Sequence, residues 1–220
     1  MMAKSNCFSE SARLVVQAFW FFPVVFILSA APAPCEVSQS ARLWFLIEEE
    51  SSLYLAGTSN VNKFSCRCED RYERQTLDYS HNSGYVRFQQ LYLTMRTDHF
   101  DCHNRKIDAD LQKALKSKQY PYIKVAFSDA GMDLRCFEKK CSGWFPVKIN
   151  TEITITDVTK KVFMDAEARI NGANQIQLRG SKPLYMSQFG VSPPEAMFGM
   201  IKVNDLITFH FDLKIQIIPQ

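Results

Sequence analysis

From Ile207 to Ile217 every second residue is apolar. Ile207, Phe209, Phe211, Leu213, Ile215 and Ile217 alternate with Thr208, His210, Asp212, Lys214 and Gln216. A period of two places successive side chains on opposite faces of an extended chain, so this segment reads as a strand with one buried and one wet face. The pattern recurs in Val147, Ile149, Thr151, Ile153 and Ile155, and again in Val162, Met164, Ala166, Ala168 and Ile170. Ile176, Leu178, Gly180 and Leu184 repeat it with Lys182 as an interruption, and Ile123, Val125 and Phe127 form a shorter case. Leu53 to Cys68 reads as one long strand with Gly57 available for a bend. A helical period occurs at Ile107, Leu111, Ala114 and Leu115, with Asp108 and Asp110 near its start, Lys113, Lys116 and Lys118 near its end, and Pro121 as its stop. One short helix cannot cover the apolar face of a sheet of about eight strands, so the sheet must seal itself as a barrel or a sandwich. Long strands with short turns favour closure. The expected class is all-β, an antiparallel barrel with one short α-helix.

The first residues differ in kind. Lys4 and Arg13 precede an apolar stretch from Leu14 to Ser29, and small residues Ala30, Ala31 and Ala33 follow it. This order is that of a secretory signal peptide over residues 1–33, with 34–41 a short linker and 42–220 the barrel domain. The stretch is shorter than a comfortable membrane span and contains Gln17 and Pro23. A lipid anchor on Cys35 would place Pro34 where that motif wants a small residue. The expected location is the periplasm or cell envelope, or outside the cell. Loss of the leader would remove Cys7 and leave Cys35, Cys66, Cys68, Cys102, Cys136 and Cys141, which in an oxidising compartment can pair in many ways. Cys136 and Cys141 are spaced to close a hairpin, and Cys102 reads as a disulfide partner with Cys66 one candidate. A net charge of +3 without a run of cations that could form a phosphate-tracking stripe means that no nucleic acid is expected.

The inward faces supply Phe127, Ile153, Ile155, Met164, Leu178, Leu184, Phe209, Phe211 and Leu213, a set able to solvate a long hydrocarbon chain or to fill the lumen outright. Phe189 to Gly199 carries Val191, Met197 and Phe198, with Met200 just beyond. It can form a lid over one mouth or a connection that plugs it. Asp98, His99, Asp101, Cys102 and His103 bring metal-capable groups together, yet no second cluster has the paired spacing of a zinc site, and neither a metal nor another cofactor is expected. Cys66 and Cys68, a C-x-C pair on a strand, point to the same face and cannot readily bond to each other. No G-x-S-x-G elbow or paired acid and base is seen, so the reading is a non-catalytic binding protein.

Four stretches in order are similar to a known family. Gly57-Thr58-Ser59-Asn60-Val61-Asn62-Lys63-Phe64 resembles the G-T-x-N-V-x-x-F strand of YceI-like proteins. Asp101 to Leu111, continuing through Leu115 to Pro121, resembles that family's helix and the strand entry after it. Met186-Ser187-Gln188-Phe189-Gly190-Val191-Ser192-Pro193-Pro194-Glu195-Ala196 resembles its M-T-D-F-G-I-x-P-P-T-A loop, and Gly199–Lys202 with Ile207–Leu213 completes the series. The resemblance implies a lipocalin-like barrel, exported in many members, that holds a polyisoprenoid or other long-chain amphiphile in an internal channel. Contact with a membrane for lipid exchange and pairing of two barrels are compatible with it. Ser187 and Gln188 replace the usual threonine and aspartate, and His103 replaces a glycine, so different hydrogen bonding is expected in that loop. Two other readings compete: an envelope interaction module with a filled barrel, and a metal- or thiol-dependent enzyme.

Overall fold

The computed structural model describes residues 39–81, 85–132, 143–172 and 174–218. The leader, Cys35, and the Cys136 and Cys141 pair lie outside the described residues. The expected antiparallel barrel with one short helix is present, and its eight staves follow the chain in order around the barrel. Strands β1 (Gln39–Ile47) and β2 (Ser52–Ser59) run end to end along the last strand, β12 (Ile201–Ile218), with Ile47 opposite Ile215 and Ser52 opposite Asp212. They form one interrupted stave, whose first strand starts inside the segment read as a linker. Strands β3 (Lys63–Cys68) and β4 (Gln75–His81) form the second in the same way, pairing with β2 and β1 respectively. Strands β5 (Tyr85–Arg96) and β6 (Phe100–Asp101) form the third. Then come β7 (Tyr122–Met132), β8 (Phe145–Ile155), β9 (Val158–Asn171) and β10 (Gln175–Tyr185), each paired with its predecessor, and β12 closes the ring. Closure removes the edges that an open sheet would expose.

The alternation holds where a strand is regular and slips where the barrel must bend. Val147, Ile149, Thr151, Ile153 and Ile155 are all buried, as are Val162, Met164, Ala166 and Ala168. In β5 the inward parity changes at Gln90, which adopts a left-handed φ of 57° where the register against β7 shifts. An extra residue in one strand of a pair re-aims all that follow it. Lys182 keeps the inward parity of β10 and is half-buried beyond Gly180, where the ladder to β9 ends. Gly180 itself is required, because a Cβ there would fall 2.6 Å from the ring of Phe211 on β12.

The reading of Leu53 to Cys68 as one strand is corrected: these residues form the β2–β3 hairpin. Ser59-Asn60-Val61-Asn62 turns the chain, with Ser59 N donating to the Asn62 carbonyl and the Ser59 hydroxyl bonding to the Asn62 side chain. Serine and asparagine favour this because their side chains satisfy the backbone of a turn locally. Gly57 does not bend the strand; it makes room for Phe64, whose ring tip takes the space where a Cβ would stand.

Helix α1 (Arg105–Ala114) has Asn104 as N-cap, its side chain accepting from Lys106 N at 2.9 Å and Ile107 N at 3.3 Å. The Asp108 carboxylate accepts from Cys102 N at 2.8 Å, tying the helix to the end of β6. Cys102 is disulfide-bonded to Cys66 on β3, with the two Cα atoms 3.8 Å apart.

Candidate ligand cavity at the helix end of the barrel

One end of the barrel gathers the β2–β3 turn, α1, the β8–β9 turn, a 3-10 helix η1 (Met186–Phe189) and the short strand β11 (Glu195–Ala196), which pairs with the start of β12. Among these elements lies a cavity of about 330 Å3 with a mainly apolar wall. Leu55 on β2, Phe64 on β3, Ile123 on β7 and Ile155 on β8 form its sides. Ile107 and Leu111 of α1, with Leu115 at its C-cap, close one flank, and Met186, Phe189 and Val191 close another. Polar groups sit among the rim elements, with Asn62, Asn104, Lys106, Asp110 and Glu195 contributing to the lining. A concave apolar space with a few polar groups is the usual form of a small-molecule site.

Of the residues expected to face a ligand, Ile155, Leu184, Phe189 and Met197 line this cavity. Ile153, Met164, Phe209, Phe211 and Leu213 are buried in the packed core, outside the cavity wall, and Phe127 and Leu178 are half-buried against that core. Phe198 is fully exposed outside the cavity. The wall residues not singled out from the sequence, above all Ile107, Leu111, Leu55, Phe64, Val203 and Ile207, come from α1 and from the ends of strands. The amphipathic stripe of α1 was the available signal. A lone helix with an apolar face needs an apolar surface to cover, and a barrel offers one at its mouth.

The loop after β10 is anchored by a group that its sequence alone does not announce. The Asp205 carboxylate on β12 accepts from the Ser187 amide at 2.7 Å and from the Ser187 hydroxyl. Thr156, in the β8–β9 turn with φ 56°, donates its hydroxyl to the Phe189 carbonyl at 3.0 Å. These bonds hold the Phe189 ring, only 1% exposed, at the cavity wall.

The metal-capable groups near His99 go to separate partners. Asp98 pairs with Arg96, His103 lies 3.7 Å from Asp101, and Cys102 is in the disulfide. His99 Nδ1 meets Asp70 Oδ1 at 2.5 Å, and the other Asp70 oxygen accepts from Arg96 N and from the Cys68 thiol. Cys68 is buried and free, on the same face of β3 as Cys66, and burial pushes its thiol up to about 12. A thiol held protonated at neutral pH is a poor nucleophile. In the unfolded chain it ionises at about 8.5, so the stability it contributes is complete below that pH and declines as pH rises toward 12. The decline is up to about 1.4 kcal/mol per pH unit. Cys68→Ala is therefore expected to flatten the fall of urea midpoint between about pH 9 and 11 relative to wild type; parallel curves for the two proteins would refute this assignment.

A family model described as the YceI-like domain matches residues 50–215. Among solved structures, a polyisoprenoid binding domain from Saccharophagus degradans implicated in plant cell wall breakdown aligns with a TM-score of 0.57 at 10% identity, covering 79% of this chain and 98% of that one. BcnA from Burkholderia cenocepacia aligns with a TM-score of 0.55 at 15% identity, covering 76% and 98%. Both are likenesses of fold. A comparison with curated protein sequences finds no match.

Proposed function

The chain belongs to the YceI-like family, and on that footing we propose that it is an exported, non-catalytic carrier that holds a polyisoprenoid or other long-chain amphiphile at the helix end of its barrel. The observation that carries the reading is the apolar cavity beneath α1 and η1. At about 330 Å3 it lies at the small end of the roughly 300–1,000 Å3 range of small-molecule pockets. A long chain would thus enter only in part. Phe209, Phe211 and Leu213 pack the lumen below, and the remainder of the ligand would leave through the mouth or displace side chains there. Lys106 and Asn104, at the rim, are placed to meet a polar head. The apolar stretch from Leu14 to Ser29 within the expected leader 1–33 and the Cys66–Cys102 disulfide support export to an oxidising compartment such as the periplasm. In this reading a membrane is the source and destination of the ligand.

The first test is an organic extract of the natively isolated protein, analysed by mass spectrometry beside the intact complex. A single isoprenoid or long-chain amphiphile near equimolar amount is expected. Absence of extractable lipid, together with failure of every amphiphile to compete with a fluorescent probe, would overturn the reading in favour of an interaction module. A second test fills the cavity. Val203→Trp, at a half-buried wall position, is expected to weaken probe binding roughly tenfold or more, about 1.4 kcal/mol. Because the substitution fills space already empty, the thermal midpoint should change little. Unchanged probe affinity would place binding elsewhere.

A further inference from the structure

We infer that the tip of the β11–β12 hairpin, with the neighbouring β2–β3 turn, docks the barrel on the surface of an anionic lipid bilayer, with the cavity mouth facing the lipid. The inference rests on the lipid-carrier reading for its purpose but on separate observations for its location.

The first observation is exposed apolar surface in the wrong place for a free surface. Phe198 at the hairpin tip is fully exposed, and Met197, Met200 and Val61 are each more than half exposed. The two turns are bonded together. Asn60 Nδ2 donates to the Met200 carbonyl at 2.8 Å, and Lys202 N donates to Asn60 Oδ1 at 2.9 Å. The four side chains therefore belong to one rigidly linked knuckle. Met197 and Val61 also line the cavity, so apolar side chains of the knuckle reach the inside of the mouth. Exposed apolar surface of this kind marks an interaction site.

The second observation is the backbone that presents it. Met197, Phe198 and Gly199 have successive φ values of 51°, 56° and 83°. Bulky residues rarely adopt this left-handed region. Gly199 N donates to the Ala196 carbonyl and Met200 N to the Met197 carbonyl, so the closed turn holds the phenylalanine ring out in solvent, where insertion into an apolar interface would bury it.

The third observation selects the partner. At the same end, α1 and the residues after it expose Arg105, Lys106, Lys113, Lys116 and Lys118, while Asp108 and Asp110 are half-buried. Lys63 is exposed beside the β2–β3 turn, and the exposed acids at this end are Asp157 and Glu195, the latter paired with Lys202 at 3.4 Å, so cations predominate. An apolar knuckle flanked by cations suits a bilayer carrying anionic headgroups. A second copy of the chain on a two-fold axis would bring the same cations face to face.

The test uses the full chain and its single-site variants with vesicles of phosphatidylcholine, alone or mixed equally with phosphatidylglycerol. Phe198→Trp keeps an apolar tip, and its emission is expected to shift to the blue and to be quenched by brominated acyl chains, beyond any change in the native tryptophans. Phe198→Asp is expected to lower affinity for the mixed vesicles roughly tenfold or more, and added salt to weaken wild-type binding in the same direction. Both variants should still bind the fluorescent probe, since Phe198 is outside the cavity wall. Probe binding by Phe198→Trp without quenching of its introduced indole by the vesicles would overturn the docking surface and leave the carrier reading standing. Quenching without probe binding would do the reverse. If Phe198→Asp converts a dimer into a monomer and leaves vesicle affinity unchanged, the knuckle is a contact between copies and the inference falls.

Discussion

Replacing Cys102 with serine is expected to lower the free energy of unfolding by roughly 3–4 kcal/mol, the loss predicted for releasing a loop of this size. The bond links residues 36 apart and encloses β4, β5 and the β6 strand that leads to the helix. It stands where β3 and β6 pair over only two residues, Arg67 with Asp101 and Cys68 with Phe100. So short a ladder gives little cooperative support of its own. The constraint acts chiefly on the unfolded chain, but the folded chain loses something too. Cys102 donates its amide to Asp108, so the bond also steadies the first turn of the helix whose Ile107 and Leu111 wall the cavity. Urea unfolding of Cys102→Ser and Cys66→Ser should give the same midpoint, and the double replacement should lower it no further. Probe affinity should fall with the midpoint if the helix loosens. A loss under about 1 kcal/mol would mean that the short ladder and the helix cap suffice to hold this corner.

The barrel was legible because its evidence is repetitive. Each of Val147 to Ile155, Val162 to Ile170 and Ile207 to Ile217 states the same period independently, and the helix had the only competing one. What the alternation could not supply was where inward-facing residues stop packing and begin to enclose space. Phe209 and Ile207 share a face of β12, yet the first fills the core and the second lines the cavity, because the difference lies in height along the barrel and not in parity. Bulges hide for a related reason. Nothing in Phe88-Gln89-Gln90-Leu91 announces that Gln90 will take a positive φ and change the parity of β5. The β2–β3 turn was hidden by its valine, since Val61 continues an apolar pattern through Ser59, Asn60 and Asn62, which are turn residues. Long-range anchors such as Asp205 to Ser187 and Thr156 to Phe189 join residues that only the closed fold brings together.

Phe189 is where those anchors converge, and its replacement by alanine is expected to cost about 3–5 kcal/mol, the range for a buried aromatic side chain. The ring is 1% exposed and lines the cavity, so the void left by Phe189→Ala would open directly onto existing empty space. Relaxation is limited because its carbonyl is fixed by Thr156 and the preceding turn by Asp205. Stability and binding should then move in opposite directions. The empty variant melts earlier, while its larger chamber accepts more of a hydrocarbon tail, and a longer buried tail adds favourable apolar transfer at about 0.8 kcal/mol per methylene. A ligand that binds only the folded state returns part of the lost stability by mass action. The thermal midpoint, measured with and without saturating amphiphiles of increasing chain length, should rise more steeply with length in Phe189→Ala than in wild type. An equal loss of stability and of probe affinity would show instead that Phe189 shapes the wall the ligand needs, and that the chamber works only at its native size.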